Sequence, residues 1–209
     1  QGRMKIMHVA CEILHELQHA KLKDRHWLQF AEVLEIGEDE ERDFQEGVPF
    51  SELVDLGLLS ASTAVHELCH RAMQEEAIDA QLQMLQHKWN MIRLRTETKF
   101  RGLDDLFLAN VADVIEEVDD SCVMISALAT SPFVAPFIEN VHEWQQQLVS
   151  MEETLEAWIS FEMSWCTVRP ILARGDIAAH VHDNGSFENI EMWYRQLMET
   201  IAHDSLATK

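Results

Sequence analysis

Two short stretches spell the pattern H-E-x-x-H: "HELQH", His15 to His19, and "HELCH", His66 to His70. Histidines four apart share one helical face and can ligate one metal ion, while the glutamate between them activates a bound water, the chemistry of a zinc hydrolase. Such a centre also needs a third ligand and an open coordination position. After His70 the chain reads "RAMQEE", with Met73 and Glu76 where the metzincin extension has Gly and His. The other main zinc-protease pattern draws its third ligand from a downstream Asn-Glu helix, and the chain has no Asn-Glu pair. Neither copy lies beside an evident sheet edge on which a peptide could be laid. We therefore assign no catalytic, cofactor-binding or metal residue. On the first helix His8, Glu12, His15 and His19 form an outer stripe that either faces water or takes up zinc or nickel adventitiously.

Other chemistry finds less support. "HVHD", His180 to Asp183, falls short of the histidine loop of binuclear hydrolases and reads as a polar turn. There is no G-x-S-x-G elbow, and none of the seven glycines is followed by Lys, so a phosphate-binding P-loop is absent. With 37 acidic against 16 basic residues, the formal charge of −21 argues against nucleic acid or anionic membrane as a partner. Cys11, Cys69, Cys122 and Cys166 are widely spaced within apolar-periodic stretches and read as reduced core residues of an intracellular protein. No apolar run is long enough to span a bilayer, and no export signal opens the chain. Gln1 to Arg3 precede a helix already in stride at Met4, which reads as a cloning remnant ahead of a cut inside a longer chain.

The elements that carry these residues are helical. Ile6, Ala10, Ile13, Leu17 and Ala20 build one apolar stripe on a first helix ending near Lys23, and a second begins at Asp24 as its N-cap. The acidic stretch from Gly37 to Pro49 reads as a loop and one candidate for flexibility. A short helix closes near Gly57, and a long one, capped by Ser60 or Ser62, runs to about Trp89 with Ile78, Leu82, Leu85, Trp89 and Ile92 on one side. The period then shifts toward alternation, which predicts a small β-hairpin near 92–109. A helix over 111–129 stops before "TSPFVAPF". From Val141, the residues Trp144, Leu148, Met151, Leu155, Trp158 and Trp165 continue a heptad seam whose one polar member is Glu162. Glu162 either fixes the register of a partner from a buried position or faces solvent because the seam has drifted. Pro170 and Gly175 end that helix, and a last one starts at Phe187 with Ile190, Trp193, Tyr194, Leu197 and Ile201. The fold class expected is mainly α, an elongated array of packed helical bundles with one hairpin. Its subdomains are 4–110, which includes the hairpin, and 111–209.

Taken in order, these stretches resemble the linker region of dynein heavy chains, the part preceding the AAA motor ring. "LKDRHW" is similar to the family's R-H-W motif, and "LVDLGLL" and "EEAIDAQLQMLQHKWN" follow it with Leu82 and Trp89 in register. Ser131, Pro132, Phe133, Trp144 and Leu148 match a Ser-Pro-Phe motif and the helix after it. Trp158, Trp165, Pro170, Ile171, Asp176, Ile177, Phe187, Trp193 and Met198 match the closing motifs. Departures include Ala129-Thr130 in place of Arg-Gly, Glu162 in place of Gln, Leu172 in place of Phe, and "VHDN" in place of a Leu-Pro-x-Glu turn.

The resemblance, which spans about Leu22 to Ala202, implies a helical rod that bends and straightens over the AAA ring, with no catalysis of its own. ATP and Mg would belong to modules beyond Lys209. Its partners would be the ring of the same heavy chain, other dynein subunits and microtubules, in the cytoplasm and cytoskeleton, with an axonemal cilium or flagellum favoured. In such a lever Trp89, Trp144, Trp158, Trp165 and Trp193 are expected to be mechanical core. A stand-alone helical scaffold and a zinc hydrolase remain as the competing classes.

Overall fold

A computed structural model of the chain describes residues 2–36, 49–98, 105–173 and 184–208. Outside them lie most of the acidic stretch after Gly37, the hairpin turn, Asp176, Ile177 and the His180 to Asp183 stretch. The described elements are α1 (Gly2–His19), α2 (Asp24–Val33), α3 (Phe50–Asp55), α4 (Ser62–Met91), β1 (Thr96–Thr98), β2 (Leu106–Leu108), α5 (Val111–Ala129), α6 (Ile138–Ala173) and α7 (Asn184–His203). The architecture is mainly α with a small two-stranded antiparallel sheet, as the periodicity predicts. None of the described helices is long and apolar enough to cross a membrane. Two compact units emerge, residues 1–81 with 132–136 and residues 82–131 with 137–209, a different partition from a linear division after 110.

In the first unit, α1 ends at His19, earlier than its stripe suggests, because Lys21 takes a left-handed φ of 29°. Asp24 is the first residue inside α2, not its cap. Lys23 holds the cap position in extended geometry, and Asp24 places its carboxylate in the first turn, where the helix dipole favours negative charge. Ile13, Ala20, Phe30, Leu34, Leu53, Leu58, Val65, Leu68 and Ala72 make one core. The chain leaves α3 through Gly57 at φ 90°, a conformation that favours glycine.

In the second unit, Val111, Val114, Val118, Ser121, Ile125 and Leu128 face inward from α5 at steps of three and four. This stripe packs against α6. The α6 seam runs through Val141, Trp144, Leu148, Leu155, Glu162 and Trp165, all buried, and extends one step further to buried Arg169. It therefore has two polar members, seven residues apart. Pro170 does not end α6, which continues to Ala173, and α7 begins at Asn184, three residues before Phe187. Proline there loses its own N–H bond and crowds the carbonyl four residues back, yet α6 keeps its helical course for three residues beyond it.

Strand pairing is short but reinforced at its base. Thr96, Glu97 and Thr98 pair with Leu108, Phe107 and Leu106. Asn110 closes the base, its Oδ1 accepting from the Arg95 N–H at 2.8 Å and its Nδ2 donating to the Arg93 carbonyl at 2.9 Å. The segment after α7 returns to the same place: the Leu94 N–H donates to the Ser205 carbonyl and the Ala207 N–H to the Ile92 carbonyl, at 2.7 and 3.2 Å. At the C-terminal end of α4, fully buried Trp89 donates its Nε1–H to Ser121 Oγ at 3.2 Å, and that hydroxyl donates to the Glu117 carbonyl at 2.6 Å. Trp89→Ala is expected to lower stability by about 3–5 kcal/mol through the cavity it leaves. Trp89→Phe should cost markedly less, and urea unfolding of both variants checks the order.

Candidate functional site

The two H-E-x-x-H copies, 51 residues apart in sequence, line one groove of about 750 Å³. From α1 come His15, Glu16 and His19, and from α4 come His66, Glu67 and His70. Their arrangement differs from that of a zinc centre. Glu16, which would serve as general base of the first copy, contacts His66 of the second, Oε2 to Nδ1 at 2.5 Å. His19 donates its Nδ1–H to the His15 carbonyl at 2.7 Å, and the two rings lie 4.2 Å apart at a tilt. His70 stands edge-on to Phe133 at 5.7 Å. Among the described residues no three His, Cys, Asp or Glu side chains are placed to hold one metal ion. Cys69 in the same groove is buried, and burial together with the Glu16 carboxylate raises its thiol to about 11, so it is protonated near neutral pH.

A buried carboxylate organises the first unit. Glu75 lies on the inner face of α4, 5 % exposed, and meets the Arg25-His26 pair of the R-H-W stretch. The Lys23 N–H donates to His26 Nδ1 at 3.0 Å. Nε2 therefore carries the ring proton and donates it to Glu75 Oε2 at 2.9 Å. Arg25 Nε donates to the same oxygen at 2.9 Å, and its Nη2 contacts it as well. Flanking pairs Lys21–Glu76 and Lys23–Asp79, at 2.7 and 2.6 Å, continue the ladder along α4. The carboxylate of Glu76 raises the Lys21 ammonium above its usual range.

Glu162 does the same in the second unit and resolves the alternatives left open for it: it is buried, 6 % exposed. Its Oε1 accepts the Leu108 N–H and the Trp158 Nε1–H, each at 2.9 Å. Tyr194 spends its single proton on the Leu106 carbonyl at 2.7 Å, with Glu162 Oε1 at 3.4 Å. Burial first, then the neighbouring Glu162 carboxylate, push the Tyr194 hydroxyl far above the usual tyrosine range. Arg169 completes the junction, its Nε donating to Asp105 and its Nη2 to Glu191, both at 2.7 Å. Seven helical residues rise about 10 Å and three strand residues advance about 10 Å, so Glu162 and Arg169 match the two ends of the Asp105 to Leu108 segment.

Around this junction Tyr194 stacks on Trp158 at 5.9 Å and lies 5.4 Å from the Trp165 ring, which in turn stacks on Phe187. Trp89, Trp144 and Trp165 are core as expected, and Trp158 is half-buried. Trp193 is not core. It is 54 % exposed, because its neighbour Tyr194 takes the inward position of α7. Of the cysteines only Cys69 is buried: Cys11 is exposed and Cys122 and Cys166 are intermediate, since they sit beside their apolar stripes rather than on them. Among the matched residues Leu82, Leu148 and Met198 are buried, whereas Pro132 and Ile171 are exposed. Periodicity alone missed the roles of His26, Glu75, Asp105, Arg169 and Tyr194. For Arg169 the signal was available, since it continues the 3–4 spacing of the α6 seam beyond Trp165.

The family model described as dynein heavy chain, N-terminal region 2, matches residues 1–209. The chain is similar to dynein axonemal heavy chain 10 of Homo sapiens, 22 % identical over 201 residues, covering 95 % of this chain and 4 % of the relative. Dynein axonemal heavy chain 8 of Homo sapiens is 24 % identical over 199 residues, 94 % of this chain and 4 % of its own. The gamma chain of the flagellar outer arm dynein of Chlamydomonas reinhardtii is 24 % identical over 184 residues, 87 % of this chain and again 4 % of the relative. The chain thus spans about 4 % of the length of these relatives.

Two outcomes follow from the geometry. Glu162→Ala strands the Leu108 and Trp158 donors and should destabilise by about 3 kcal/mol, whereas Glu162→Gln keeps one acceptor oxygen and should lose about half as much. Urea unfolding, with hydrogen exchange at the Leu108 amide, measures both. Zinc-loaded protein dialysed against buffer should retain well under one equivalent by elemental analysis, with no further loss on changing His66 or His70 to Ala.

Proposed function

Because the chain belongs to the dynein heavy chain family, in its N-terminal region 2, we propose that it is a segment of the mechanical linker of a dynein motor. The observation that carries this reading is the match to that region along all 209 residues. In this reading the segment lies across the AAA ring of its own heavy chain and bends and straightens through the nucleotide cycle, turning ring rearrangement into displacement along a microtubule. The relatives named above are axonemal or flagellar dyneins, so the motor would work in the axoneme of a cilium or flagellum.

The segment itself contributes no nucleotide chemistry in this proposal. None of its glycines is followed by Lys, so it offers no phosphate loop, and ATP and Mg would be held by AAA modules elsewhere in the heavy chain. What its residues contribute is stiffness. A lever transmits force only if its parts do not slide, and sliding of the hairpin on α6 and α7 would have to expose the Glu162 and Asp105 carboxylates without their donors. Glu75, held by Arg25 and His26, opposes slippage of the α2 start along α4 in the same way.

The first test is to extend the reading frame past Lys209 and look for P-loop-bearing AAA modules. A stop codon within a few dozen residues would overturn the proposal. The second uses the full heavy chain with Glu162→Ala. Microtubule gliding should slow several-fold while ATP turnover per motor stays near that of the parent. Equal loss of both would mean that the junction serves folding alone. The purified 209-residue chain should show no ATP turnover above buffer.

A further inference from the structure

The second unit carries an apolar face that its own described residues leave open. On α6 the residues Ala157, Phe161, Ser164 and Val168 step by four, three and four, about 100° around the helix from the Glu162 seam. On α7, Ile190, Trp193 and Leu197 step by three and four beside the inward Tyr194 and Met198. The Phe161 and Trp193 rings meet edge-on at 6.4 Å and join the two stripes into one surface. Val168 and Ile190 are each 43 % exposed there.

Among the described residues charge is missing from this face. Its borders are Ser160 and Thr167 on α6 and Asn189 and Gln196 on α7, while Glu188, Glu191, Arg195 and Glu199 lie together on another side of α7. In a chain with 37 acidic residues, an uncharged stripe repeated at heptad spacing on two adjacent helices is the pattern of a helix-packing surface. A half-exposed tryptophan at its centre is the kind of residue that carries binding energy once covered.

We infer that this α6–α7 face seats a third amphipathic helix, supplied by the same heavy chain from outside residues 1–209; the inference rests on the linker reading above. The 3–4 spacing on both helices selects a helix as the occupant, and the uncharged borders select an apolar stripe on it. A second copy would bring another formal charge of −21 to a face on which the described residues place no cation. A tethered helix is held at high effective concentration, and the relatives are long enough to supply it, since this region is about 4 % of their length.

The test places the photo-crosslinking amino acid p-benzoylphenylalanine at Trp193 in the native-length polypeptide, with the same probe at Met192 as a control facing the acidic side. Light and heavy isotope-labelled chains are mixed before illumination, and crosslinked peptides are identified by mass spectrometry. The expected result is a within-chain crosslink from position 193 to a peptide with 3–4 apolar spacing, several-fold stronger than any from 192. Placing the probe at Ile190 should reproduce it, which covers the case in which the Trp193 variant folds poorly. A yield from 193 and 190 no higher than from 192, a light-to-heavy crosslink, or a crosslink to another polypeptide would each overturn the inference. A native polypeptide no larger than 24.1 kDa would instead sink the linker reading, and with it the source of the helix.

Discussion

Taking a carboxylate out of water is unfavourable unless donors replace the lost hydration, and Glu162 makes that constraint the organising fact of the second unit. Its donors do not come from one element. The Leu108 N–H belongs to β2 and the Trp158 indole to α6, while the Tyr194 hydroxyl of α7 lies at the margin. Arg169, two helical turns along, imposes a second condition through Asp105. A strand shifted by one residue would present the wrong end to both, so the pair sets register in a hairpin whose three-residue strands are too short to set it themselves.

The first unit meets the same constraint at Glu75. There the donors are consecutive in sequence, Arg25 and His26, and the backbone N–H of Lys23 fixes the histidine tautomer that lets one oxygen be shared. Replacing such groups with well-packed apolar side chains often costs nothing or even stabilises a protein. What the ionic version adds is selectivity, because an apolar α2 could slide along α4 with little penalty while a shifted Arg25 and His26 would leave the buried Glu75 carboxylate without these donors. This suits a segment whose proposed work is to carry load without creep.

In the histidine groove the two H-E-x-x-H copies meet side chain to side chain. Each H-E-x-x-H needs its glutamate free beside a metal-bound water, yet Glu16 is taken by His66 of the other copy and Cys69 is held as a protonated thiol. Glu16 of one copy and His66 of the other pair across the groove rather than pointing at a shared centre.

Periodicity is a one-dimensional signal, and it reached as far as one-dimensional physics goes. The 3–4 spacing on α1, α5 and α6, the break at "TSPFVAPF" and the shift to alternation before Leu106 determined the helices, the hairpin and the mainly α class, because each depends on side chains a few residues apart. The resemblance to dynein linkers likewise rested on motif order. It could not say whether Glu162 was buried, since that depends on an N–H 54 residues upstream, nor that Glu75 would meet His26 across 49 residues. The resemblance implies a core place for Trp193, and tertiary packing gives that place to Tyr194, whose hydroxyl donates to the Leu106 carbonyl. Which polar residue is buried, and which aromatic faces inward, is decided where distant segments meet, because only there are the donors and acceptors that make burial tolerable.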